Sequence, residues 1–95
     1  MSQVLAPAQT TSDEWAGIPG EGYIEIGAHA GGTWLLQKKT PDGEWIDISP
    51  EPNPFTASGL WWVKFIGPAR YRLTGGDAGA KAWVSNTNGL DVETF

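Results

Sequence analysis

Glycine and proline interrupt this chain so often that no long helix can form in it. The 95 residues hold 13 Gly and 7 Pro, and no window places apolar residues at helical spacing. What remains are short alternating stretches separated by turn signals about every eight to twelve residues, the pattern of an antiparallel β-sandwich or small barrel. The expected fold is all-β, of jelly-roll or immunoglobulin-like type, with six to eight short strands.

The stretches can be read one by one. "YIEIGA" (23–28) turns Ile24, Ile26 and Ala28 to one face and Tyr23 and Glu25 to the other. "TWLLQKK" (33–39) and "WIDIS" (45–49) flank "TPDGE", where Pro41 sets the first corner and Gly43 takes a positive φ, so they form a hairpin. Three prolines in residues 50–58 make a connecting loop. "LWWVKFI" (60–66), "RYRLT" (70–74) and "KAWVSN" (81–86) complete the set, and the tail after them either adds an edge strand or trails free.

The strand at 60–66 carries the main question. Its odd positions read Trp61, Val63, Phe65 and its even positions Leu60, Trp62, Lys64, Ile66, so both faces are apolar. The expected core is Ile24, Ile26, Leu35, Ile46, Ile48, Trp61, Val63, Phe65, Tyr71, Leu73 and Val84. That choice turns Trp34, Leu36, Trp45, Leu60, Trp62, Ile66 and Trp83 outward. Each tryptophan typically buries roughly 150–250 Å², so four together exceed the few hundred Å² that soluble monomers leave bare. Either some faces are reversed and loops cover the rest, or the surplus meets another subunit or a ligand.

Residues 1–17 show little periodicity and read as an extended arm, with residues 18–95 as the sandwich domain. The N-terminus has no basic start and only a short apolar patch at 4–6, so no signal peptide is expected. No stretch approaches the roughly 18 apolar residues that span a bilayer. With no cysteine, neither a disulfide nor a Cys-based zinc site can form. A net charge of −5 opposes binding to phosphate backbones. No nucleic-acid or membrane partner is expected.

Chemistry is sparse. The one histidine, His29, sits among small residues in "GAHAGG" and reads as a solvated loop residue. Asp42, Glu44 and Asp47 gather around the hairpin, where turn formation accounts for them. Neither "DGEWID" nor "GGDAGA" has the ligand spacing of a calcium loop. The expectation is a protein that is not an enzyme, with no catalytic residues, metal or cofactor.

Residues 31–76 carry an order of features that resembles the small β-sandwich structural proteins of tailed bacteriophages. A strand ends in Leu36-Gln37, a turn holds Asp42-Gly43, and Trp45 opens the return strand. A loop with Phe55-Thr56, an apolar strand and a short turn into Tyr71-Arg72 follow. The resemblance implies a virion protein, assembled in the host cytoplasm, that decorates or cements a capsid, often as a homotrimer, or sits on a tail or neck. Its implied partners are itself and the major capsid protein or another virion subunit. On that reading the arm, through Val4, Leu5 and Trp15, and the outward residues Leu60, Trp62, Ile66 and Trp83 make the partner contacts. The competing reading is a carbohydrate-binding module, in which Trp62 or Trp83 stacks on a sugar ring beside Asp47, Asn86 or Glu44.

Overall fold

The computed structural model describes residues 1–17, 20–65, 69–86 and 90–95. Among them are eight strands and no helix: β1 (Ser2–Leu5), β2 (Trp15–Gly17), β3 (Gly20–Gly27), β4 (Gly32–Lys39), β5 (Trp45–Asp47), β6 (Gly59–Phe65), β7 (Ala69–Gly76) and β8 (Lys81–Asn86). They form two four-stranded sheets, ordered β1-β8-β3-β6 and β2-β7-β4-β5. Every neighbouring pair is antiparallel. The fold is the expected all-β sandwich.

The sheets meet through aromatic rings. Phe65 of the first sheet lies edge-on to Trp15 at 6.5 Å and tilted against Tyr71 at 5.0 Å, and Trp15 stacks on Tyr71 at 6.2 Å. Ile24, Ile26, Val63, Leu73 and Val84 are buried around them, as expected from alternation. Phe55, from the loop before β6, closes one side of the core edge-on to Trp61, which is half-buried.

The N-terminal segment is not a free arm. β1 pairs with β8, and β2 pairs with β7. Val4, Leu5 and Trp15, expected as partner contacts, are instead buried in the chain's own core at 1%, 0% and 0% exposure. Alternation hid this, because the register of β1 shifts between Gln3 and Leu5 and both Val4 and Leu5 face inward. Between the two strands, Ser12 ties the segment down: its Oγ accepts from the Leu73 N–H at 2.9 Å, and its own N–H donates to the Leu73 carbonyl.

β4 is turned over relative to expectation. Trp34 and Leu36 are buried and Leu35 is only half-buried on the outside. Both faces of this strand are apolar, so alternation could not decide between them. The decision comes from β7, where Gly76 leaves the space that the Trp34 indole fills. Ile46, expected in the core, is exposed because β5 is a three-residue edge strand with nothing beyond it to cover that side chain. Ile48 packs against the core as partly buried.

The end of the chain is stitched to its beginning. The Ala16 N–H donates to the Glu93 carbonyl at 2.8 Å, and the Phe95 N–H donates to the Glu14 carbonyl at 2.9 Å. Residues 93–95 thus run beside β2, so the tail does add to a sheet edge.

Candidate functional site

The two outer faces of the sandwich differ in kind. On the second sheet, charges and rings satisfy one another. The Arg72 guanidinium lies 4.2 Å from the Trp45 ring and donates to Gln37 Oε1 at 2.8 Å. Glu14 sits between Arg70 at 3.5 Å and Lys39 at 3.9 Å, and Arg70 covers the Phe95 ring. At the end of this sheet, Lys38, Lys39, Thr40, Gly43 and Arg70 line an open cleft of about 460 Å³.

The first sheet presents a different surface. The inward residues of β3 are Ile24 and Ile26, so Tyr23 and Glu25 point out. Val63 and Phe65 point in from β6, so Leu60, Trp62 and Lys64 point out. Leu60 and Trp62, two positions apart on the same strand face, are 56% and 54% exposed, so two large apolar side chains stand side by side in solvent. Tyr23 and Trp62 are direct neighbours across β3 and β6, with ring centroids 5.3 Å apart and planes tilted by 56°. In the adjacent row, Gln3, Trp83, Glu25 and Leu60 line up across all four strands. The Trp83 indole lies over Gly27, where a β-carbon would come within 3.3 Å of its Cζ3. The result is a face that carries Tyr23, Trp62 and Leu60 together, with Trp83 across Glu25 from Leu60, Gln3 beyond it, and the cross-strand pair Glu21 and Lys64 on the other side of Tyr23 and Trp62.

Of the residues expected to make partner contacts, Leu60, Trp62 and Trp83 are brought together on this face. Ile66 lies outside the described residues, and Val4, Leu5 and Trp15 are core. Tyr23, Glu25 and Gln3 were not singled out beforehand, although parity with Ile24 and Ile26 was enough to find the first two. The polar groups considered for sugar binding fall elsewhere. Glu44 and Asp47 belong to the hairpin of the second sheet, where the Asp47 carboxylate accepts from the Ser49 N–H at 2.9 Å. The Asn86 side chain accepts from the Leu90 N–H at 3.0 Å.

His29 Nδ1 accepts from the Gly31 N–H at 3.2 Å, and its Nε2 is buried with no hydrogen-bond partner among the described residues. The ring is thus built into its loop and is not the solvated side chain expected. Among the described residues, no group of three or more His, Asp or Glu is placed to hold a metal ion. No family model, curated protein or solved structure matches the chain.

Proposed function

We propose that this chain is a non-enzymatic structural protein that docks onto a larger assembly through the outer face of its first sheet. The observation that carries the reading is the outward cluster of Tyr23, Leu60 and Trp62, with Trp83 across Glu25 from Leu60, on a sandwich whose other outer face satisfies its own charges. An exposed Trp beside a half-buried Tyr is the kind of side-chain pair that anchors protein interfaces once water is excluded from it. Joined to the resemblance of residues 31–76, the assembly is the head of a tailed phage, with the chain as a decoration or cement protein on its outer surface. The arm has no part in this, since its apolar residues are spent on the core. Binding of the purified protein to phage heads that lack a decoration protein tests the reading. Wild type is expected to co-sediment with the heads and Trp62→Asp to stay in the supernatant while remaining folded. Equal binding by both variants would remove the platform from the contact.

A second reading is glycan recognition, favoured by the placement of Glu25 and Gln3 beside the rings. Sugar hydroxyls need such acceptors and donors next to a stacking surface. Quenching of tryptophan fluorescence by an oligosaccharide, lost in Trp62→Ala, would establish it in place of protein docking.

A further inference from the structure

We infer that two copies of this chain pair edge to edge through β6, joining their first sheets into one continuous eight-stranded sheet. The inference goes beyond docking of the face, because it rests on the backbone edge of the sheet and names a second copy of the chain as the partner.

The four edge strands are not alike. β1 has four residues and an irregular register; its Val4 carbonyl accepts from the Asp13 N–H, and its Ser2 hydroxyl is bound to Val92. β2 has three residues and is flanked by residues 93–95. β5 has three residues. β6 has seven, pairs in unbroken register with β3, and contains no proline. No hydrogen bond within the described residues engages its far side. A long, regular edge is a template for another strand, and natural sheets usually blunt it with a bulge, a proline or several charges. Here Lys64 is the only charge on it.

The outward side chains of β6 suit a copy of themselves. Antiparallel pairing about a two-fold axis at Trp62, the middle residue, engages all seven positions. It sets Trp62 against its own copy and Leu60 against Lys64 of the second chain. Aromatic pairs directly opposite one another are favourable cross-strand neighbours. Within one chain Lys64 lies directly opposite Glu21 and Leu60 opposite Glu25, so Lys64 of the second copy stands between its own Glu21 and the first copy's Glu25, the latter across two strand spacings, roughly 10 Å. Extended lysine and glutamate side chains span that together, and the symmetry makes the contact twice. The two aromatic platforms then merge into a single face. The pairing closes at two copies, in place of the trimer that the phage resemblance implies.

The chain has no cysteine, which makes a single-cysteine test clean. Residues directly opposite across an antiparallel pair lie about 4.5–5.5 Å apart at Cα, within disulfide reach. Sedimentation at about 100 μM, well above a micromolar dissociation constant, is expected to give twice the 10.2 kDa mass of one chain. Air oxidation is expected to link Trp62→Cys into a covalent dimer at least about tenfold faster than Ile46→Cys on the β5 edge, because pairing raises the local thiol concentration. In a Glu21→Gln background, which removes the carboxylate opposite Lys64 in its own chain, Lys64→Glu is expected to weaken the dimer severalfold, and the exchange Lys64→Glu with Glu25→Lys to restore it, which does not depend on how well the cysteine variant folds. A monomer at that concentration, equal oxidation rates or no rescue would each overturn the pairing. Binding to phage heads reads the docking separately: a monomer that binds heads defeats the dimer only, and a dimer that ignores them defeats docking only.

Discussion

The indole of Trp34 lies against the α-carbon of Gly76, so close that a β-carbon built there would overlap Cε2 and Nε1 of the ring. Trp34 is fully buried, and its strand and that of Gly76 are neighbours in the middle of the second sheet. Neither partner has room to withdraw. The side chain that sets the facing of β4 therefore depends on the absence of one on β7.

Gly76→Ala is expected to destabilise the fold by about 3 kcal/mol, the upper end of what one added methyl group costs in a packed core. Urea unfolding should show a lower midpoint with an unchanged slope. A loss below roughly 1 kcal/mol would mean that the indole moves aside.

Two tryptophans of the same chain are expected to behave oppositely. Trp34→Ala should cost about 3–5 kcal/mol, since it empties a ring-sized volume in the core. Trp62→Ala loses mainly its cross-strand contact with Tyr23, worth about 1 kcal/mol or less. Thermal unfolding of the two variants side by side checks the assignment of inner and outer faces.

Removing residues 1–5 is expected to unfold the chain. Burial of Val4 and Leu5 contributes roughly 1.5–3 kcal/mol each, and the truncation also strips β8 of its outer partner. Domains of this size are stable by only about 5–15 kcal/mol in total. Loss of the cooperative thermal transition is the expected outcome. A variant that melts like the full chain would show that β1 is dispensable.

Ser12→Ala should cost about 1–3 kcal/mol, because the Leu73 N–H then sits buried without its acceptor. Hydrogen exchange at Leu73 should accelerate with it. An unchanged exchange rate would mean that another acceptor replaces the hydroxyl.

The parts of the fold that could be read from the residues are those where one side of a strand is clearly more apolar. Ile24 and Ile26 alternate with Tyr23 and Glu25, and Tyr71 and Leu73 alternate with arginines, so both strands face as expected. β6 also faces correctly despite its doubled apolarity, and its outward Leu60 and Trp62 stay exposed. β4 defeated alternation, since Trp34, Leu35 and Leu36 follow one another and only the space above Gly76 selects among them. The first seventeen residues defeated it for another reason. β1 and β2 are too short for a period to show, and the irregularity at Gln3 sends two consecutive side chains inward. The platform was therefore legible where it draws on β6 and Trp83, and misplaced where it drew on the N-terminus.

β1 and β8, the outermost strands in sequence among the described residues, pair with each other, and β2 likewise pairs with β7. A nascent chain therefore holds Val4, Leu5 and Trp15 without native neighbours until nearly all of the sequence is available. Contacts so distant along the polypeptide make loop closure the slow event, and neither sheet can be completed before both ends are free to meet. Maturation of this small domain is thus expected to wait until β8 has been made, with its greasiest early segment exposed in the interval.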